Sequence, residues 1–259
     1  MLHNFLKILN LAGFILKTLE PNKLSGLGHY WLGDRTMLTP EKIYNQVNRL
    51  TADMIGLSLC DRQNFPTLRD VGQGYRKVDI GEDKNISLVL KNIHYYEIYT
   101  ELDRTNMYNF RMLDGAIIQM MYCFKDNSVE TYRLAFFPSP SLEEFQNNPE
   151  VYIDDEIYAE VVMKNIVPFP LRFDFDSRKG VATDVEHPAS HLTLGQYKNC
   201  RIPVSAPITP YQFIDFILRN FYNTAFIKYS QNISYFRECF SDSITDTEKG
   251  LLHIRTPSV

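Results

Sequence analysis

Between Arg172 and Arg219 the chain concentrates the residue types that handle phosphate chemistry. In Leu171-Arg172-Phe173-Asp174-Phe175-Asp176, apolar and charged residues alternate. If this segment is a strand, Leu171, Phe173 and Phe175 share one face. Arg172, Asp174 and Asp176 then share the other, about 7 Å apart in sequence along it. That row could be a self-compensating, solvated sheet face. It could equally hold a divalent cation or orient a histidine. His187 and His191 follow, four residues apart. Pro188 between them rules out one regular helix spanning both, so they are not a helical metalloprotease pair. A turn feeding a strand places His191 and Thr193 on one face. The two histidines could tie that turn by hydrogen bonds, or act as acid, base or metal ligands. Arg201 and Arg219 complete the set as guanidinium groups suited to phosphate. For Arg219 the spacing from Asp215 also fits an ordinary helical surface pair.

Two chemistries draw on these types. Metal-independent nucleases need a base, an acid and a cation over the developing charge on phosphorus. His187, His191 and Asp174 are the candidate catalytic residues for that, with Arg172, Arg201, Arg219 and Thr193 binding substrate. Metal-dependent phosphoesterases place carboxylates and histidines around the ion. Asp174, Asp176, His187 and His191 would be the ligands, and a divalent metal the cofactor. His191-Leu192-Thr193 matches one half of a two-histidine phosphoesterase signature, which needs two such motifs. There is no P-loop and no G-x-G-x-x-G, so no nucleotide-cofactor motif. Gln119 and Arg133 are polar residues inside otherwise apolar runs and need partners if buried.

These residues require a sheet to carry them. Gly115 to Phe124 and Glu130 to Phe137 read as two strands of a hairpin through Lys125–Ser128. Leu171 to Asp176 is a further strand, turning at Ser177–Gly180 into Val181 to Val185 as its hairpin partner. Ser190 to Leu194 and Cys200 to Val204 are short extended pieces, and Ile86 to Leu90 another. Helices are predicted over residues 4–20, from Thr39-Pro40-Glu41 to about 55, over Asn92–Arg104, after Ser141, and from Thr209-Pro210 to about Tyr229. The two Thr-Pro starts combine a capping hydroxyl with proline in the first turn. Residues 22–38 read as a loop burying Trp31, and the polar stretch 61–85 as a mobile connection. The sum is an α+β fold: an antiparallel, meander-like sheet flanked by N-terminal helices and a long C-terminal helix. Residues 1–60 form a helical segment and 61–259 the domain with the site, or the two are continuous.

Composition narrows the field. The chain has 259 residues, 44% hydrophobic and 13% aromatic, enough for a core without disulfide or metal staples. A net charge of -4 argues against a non-specific nucleic-acid coat protein, though not against a local basic groove. Cys60, Cys123, Cys200 and Cys239 form no C-x-x-C pair and read as reduced thiols. Residues 5–19 are interrupted by Lys7, Asn10 and Lys17 and are too short to span a membrane. Their helical periodicity suits packing on the body or on a partner protein. A cytoplasmic protein is expected.

Several runs carry a family resemblance. They are Asp114–Gln119, Arg133-Leu134-Ala135-Phe136-Phe137-Pro138-Ser139-Pro140, Val167–Asp174, His187–Leu192, Cys200-Arg201-Ile202-Pro203 and Phe216–Tyr222. From about residue 60 to 230 the chain resembles the bacterial proteins grouped as domain of unknown function 2290. That resemblance implies a bacterial, cytoplasmic protein and brings no activity. By analogy of layout alone, an Arg-x-Asp strand before a histidine turn is similar to small toxins that attack RNA. The expectation is a phosphate-directed enzyme, a nuclease or ribonuclease-like toxin or phage-defence effector acting on RNA or a nucleotide. The alternative is a non-catalytic nucleotide- or protein-binding subunit of a bacterial defence or toxin–antitoxin complex.

Overall fold

The computed structural model describes residues 37–81, 93–140, 169–197 and 199–257. The expected helices at 4–20 and after Ser141, the Trp31 loop and the strand Ile86–Leu90 lie outside these residues, as does the partner-docking role of the first helix. Helix α1 (Pro40–Gly56) opens the described chain, with the Thr39 hydroxyl accepting from the Lys42 amide. Strands β1 (Cys60–Gln63), β2 (Thr67–Gly72) and β3 (Tyr75–Asp79) follow, then α2 (Tyr95–Arg104) and β4 (Phe110–Met112). Next come β5 (Ile117–Lys125), β6 (Ser128–Phe137), β7 (Leu171–Asp176), β8 (Ser190–Leu194) and β9 (Ile202–Pro203). Helices α3 (Pro210–Phe221), α4 (Asn223–Tyr229) and the single turn α5 (Asp246–Lys249) complete the order.

The nine described strands form one antiparallel sheet in the order β1-β4-β5-β6-β7-β8-β9. β5 is long enough to pair with β4 at its start and β3 at its end, and β3 carries β2 outward. The β5–β6 turn passes through Asp126 and Asn127, at φ 48° and 67°. Positive φ at both central positions matches the right-handed strand twist, and Asn and Asp tolerate it.

Alternation divides the sheet into two faces. Ile118, Met120, Tyr122, Phe124, Leu134, Phe136, Leu171, Phe173 and Leu192 point to the main core. There α1 contributes Ile43, Val47, Leu50 and Met54, and α3 contributes Phe213, Ile214, Ile217 and Leu218. Each of these α3 side chains is at most 2% exposed, and burying one is worth about 1.5–3 kcal/mol. On the opposite face, α2 packs Ile98, Tyr99 and Leu102 over Ile117, Ala135 and Phe137. β5 is therefore covered on both sides at its start, which is why it reads as a continuous apolar run. Beyond α2 the same face turns polar, and that is where the site lies.

Three expectations need correction. Residues 61–85 are not a loose connection over their described part: β1, β2 and β3 occupy most of residues 60–79. These strands are polar because much of their surface faces solvent, and Gly72 and Gly74 at φ 84° and 78° make the β2–β3 turn. Val181 to Val185 is not a strand beside β7, because β6 and β8 already occupy both its edges. It closes instead as a tight loop through reciprocal backbone hydrogen bonds between Thr183 and His187. The helix expected to reach Tyr229 is two helices, broken at Tyr222 (φ -134°, ψ 53°). The Tyr222 ring is buried there, and its hydroxyl donates to Asp114 Oδ2 at 2.8 Å.

Candidate functional site

The polar half of the second face floors a cavity of about 1310 Å³, bounded by Ile98 and Met107 on the α2 side. Lys77, Arg133, Arg172, Asp174, Asp176, Arg178, His187, His191, Thr193, Tyr197 and Arg201 line it. Strand register sets their order. Arg133, Asp174 and His191 are direct partners across β6, β7 and β8. Ala135, Arg172 and Thr193 form the next row, and Thr131 pairs with Asp176 on the other side. The alternating Arg-x-Asp-x-Asp strand thus delivers its whole charged face to one cavity.

Asp174 is the hub. Arg133 Nε donates to its Oδ1 at 2.9 Å, and Arg172 Nε lies 3.8 Å from its Oδ2. Burial pushes the Asp174 carboxyl up, but Arg133, Arg172 and His191 together outweigh that and hold it below the usual carboxylate value. Asp174 does not orient a histidine by hydrogen bond, the role its spacing suggested; its bonded partner is an arginine. Asp176 pairs with Arg178 at 2.5 Å.

Arg172 is the unusual group. Its side chain is only 13% exposed, and Nε and Nη1 are buried without a hydrogen-bond partner among the described residues. Burial lowers its pKa; Asp174 opposes that shift, and the nearby charges of Arg133 and Arg201 add to it. With Arg133 and Arg201 near Arg172, the described cavity lining sets five Lys and Arg side chains (Lys77, Arg133, Arg172, Arg178, Arg201) against four Asp and Glu (Asp79, Glu130, Asp174, Asp176), a formal excess of one positive charge. Arg172 thus has Asp174 as an ion-pair partner at 3.8 Å but keeps two buried donors open, and a phosphate oxygen would fill them.

The two histidines are fixed in the same sense. His187 Nδ1 lies 2.9 Å from the Val181 carbonyl, and His191 Nδ1 lies 2.8 Å from the Pro188 carbonyl. A carbonyl only accepts, so each Nδ1 carries a hydrogen and each Nε2 is the remaining site for a proton or ligand. The ring centroids are 5.2 Å apart. Burial lowers the pKa of His191; the Pro188 hydrogen bond and Asp174 oppose this, while His187 and Arg201 reinforce it. The lowering favours the neutral imidazole form of His191.

The His187 loop is held from the C-terminal side. Thr245 donates to Asp184, and the Val185 amide donates to Glu248 Oε1. Glu248 also caps α5 by accepting from the Thr245 amide at 3.1 Å. Val185 sits at φ 67°, a costly conformation for a β-branched residue, two positions before His187. The segment is anchored by the Val204–Ile254 bridge and by the Ser205 and Thr256 hydroxyls, 2.9 Å apart.

Of the residues singled out from sequence, Arg172, Asp174, Asp176, His187, His191, Thr193 and Arg201 meet in this cavity. Arg219 does not. It lies on α3, pairs with Asp215 at 2.8 Å and stacks over Phe226, away from the cavity lining. Arg133 had signalled itself as a charge inside an apolar strand. Arg178 and Tyr197 lie in a turn and a loop and had no comparable signal. Asp174, Asp176, His187 and His191 do not close into a metal site: among the described residues no three or more His, Cys, Asp or Glu side chains are placed to hold an ion. All four cysteines are free. No described helix is long and apolar enough to cross a membrane.

No curated protein and no solved structure matches the chain. A family model does, over residues 59–256, which takes in the whole sheet from Cys60 onward and every cavity residue named above. The chain belongs to the family of uncharacterised conserved proteins described as DUF2290.

Proposed function

We propose that this protein is a phosphate-directed enzyme that cleaves phosphodiester bonds, a nuclease in broad terms. The observation that carries the reading is the conjunction of two tethered histidines with a buried guanidinium that keeps two donors open. His187 and His191 each offer Nε2 in the cavity that Arg172 lines, and Arg172 Nε and Nη1 have no hydrogen-bond acceptor among the described residues. In this reading Arg172 and Arg201, with Thr193, hold the phosphate and neutralise charge on the pentacovalent transition state. His191, kept neutral, takes a proton from the nucleophile, and His187 delivers one to the leaving oxygen. Arg133 and Asp174 act indirectly, by holding Arg172 at the cavity floor. A bacterial toxin or phage-defence effector is the setting such an activity fits.

The test is cleavage of end-labelled nucleic acid by the purified chain, with His191→Asn and Arg172→Met beside it. Turnover lost in both variants with circular dichroism unchanged supports the enzyme. Cleavage retained by His191→Asn removes it.

One observation also suits a second reading, a nucleotide-binding subunit without turnover. The open, buried donors of Arg172 would recruit an anion without any chemistry following. Thermal stabilisation by nucleotide that Arg172→Met abolishes, with no product formed, would select that reading.

A further inference from the structure

We infer that the substrate is RNA and that the nucleophile is its own 2′-hydroxyl, so that the products end in a 2′,3′-cyclic phosphate and a 5′-hydroxyl. This rests on the phosphodiester-cleaving reading above and names the substrate class for the same site.

The inference turns on where the nucleophile comes from. An enzyme that supplies its own nucleophile places a hydroxyl or thiol within hydrogen-bond reach of the base that activates it. Here the ring hydrogen bonds of both histidines go to backbone carbonyls, Val181 for His187 and Pro188 for His191. Cys123 and Cys200 both line the cavity, yet among the described residues neither thiol is hydrogen-bonded to a histidine, and burial pushes the Cys123 thiol up, away from the thiolate form. Among the described residues, His191 thus has an open proton acceptor at Nε2 and no protein nucleophile attached to it.

A base set beside a phosphate clamp is enough when the substrate brings the attacking group. The 2′-hydroxyl of RNA lies next to its own 3′-phosphate, and such intramolecular placement is worth effective molarities of about 10⁵–10⁸ M. The step needs two proton-transfer groups near one phosphorus. The centroid separation of 5.2 Å and the shared freedom of Nε2 meet that need.

The step balances without a co-reactant. The 2′-oxygen forms a bond to phosphorus as its proton passes to His191 Nε2. The bond from phosphorus to the 5′-oxygen breaks, and that oxygen takes the Nε2 proton of His187. Charge on the non-bridging oxygens is met by Arg172 and Arg201 throughout. Afterwards His191 carries the proton that His187 has lost, and exchange with solvent resets the pair.

The experiment compares one RNA oligonucleotide, its DNA counterpart, and the same RNA with a single 2′-deoxynucleotide at the mapped cut, all with the full chain and with EDTA. RNA alone should be cut, EDTA should not matter, and the single deoxy substitution should remove that cut. Digestion products should carry a cyclic phosphate that acid opens to a mixture of 2′- and 3′-phosphates. Cleavage of DNA, or RNA products ending in 3′-hydroxyl, would overturn the inference and leave the nuclease reading standing. No cleavage of any of the three would overturn both.

A second comparison assigns the acid. A nucleoside 3′-phosphate ester with a nitrophenolate leaving group needs no proton on departure. His187→Asn should lose roughly 100-fold or more on RNA and recover most of that loss on the activated ester, whereas His191→Asn should fail on both. Equal loss on both substrates by His187→Asn overturns its role as acid.

Discussion

Asp174 and His191 face each other across β7 and β8, yet each makes its side-chain hydrogen bond elsewhere. The carboxylate is bonded to Arg133 and the imidazole to the Pro188 carbonyl. They interact only through charge, so each can be altered without untying the other. In a carboxylate–histidine dyad the two would act as a unit.

Removing Arg133 tests the hub. Arg133→Met leaves Asp174 mostly buried with Arg172 alone, at 3.8 Å. A loss of about 1–3 kcal/mol in unfolding free energy is expected, less than for a fully buried pair because both side chains retain some exposure. Urea denaturation with an unchanged m-value measures it. A double-mutant cycle with Asp174→Asn should show most of the loss to be coupling.

Arg172→Met should move stability the other way. It keeps the aliphatic bulk and removes a cation whose Nε and Nη1 have no hydrogen-bond partner among the described residues, while Asp174 keeps its bond to Arg133. Net stability should hold or rise by about 1 kcal/mol, while inorganic phosphate should no longer raise the melting temperature. A large fall in stability in the absence of anion would show that Arg172 is structural.

The pH dependence separates two groups of opposite charge. His191 has a folded pKa below its ordinary 6.5, so the unfolded chain binds more protons in that window. Its contribution is full above pH 6.5 and declines below it until the folded pKa is passed. His191→Asn should flatten that part of the stability curve. Asp174 is also depressed, from 3.8, so its contribution persists above that value and is lost only as pH falls through the lower folded pKa. Equilibrium unfolding from pH 8 to pH 3 should resolve the two slopes, only the first vanishing in His191→Asn.

Val185→Gly probes stored strain. Glycine adopts φ 67° freely, so relief of about 1 kcal/mol is expected, offset in part by the greater freedom of the unfolded chain. Glu248→Ala cuts the clasp from the other side. Both should broaden the His187 ring signal in NMR and leave that of His191 sharp. If both rings respond alike, the clasp does not act on His187 alone.

Much of this site could be read from spacing, and the part that could not has a physical reason. Leu171 to Asp176 declared its two faces because alternation follows from strand geometry alone. His187 and His191 could be assigned to a turn because Pro188 forbids the helix. Register is different: nothing local says that Arg133 lies beside Asp174, since that pairing joins residues 41 positions apart. Arg219 misled for a related reason. Sequence density placed it with the other arginines, but it lies on α3, which packs on the opposite sheet face. The polar strands β1 to β3 were missed because half-exposed strands lack the apolar alternation that marks the others. The family match adds membership over residues 59–256.

The clasp on the His187 loop also fixes an order of events. Thr245 and Glu248, which hold Asp184 and Val185, are translated after every strand of the sheet. A growing chain that has not reached Glu248 lacks both bonds of this clasp, whereas the bond from His187 to the Val181 carbonyl lies wholly within the loop. If the site cuts RNA, the loop that carries its acid is clasped only once synthesis has run past Glu248.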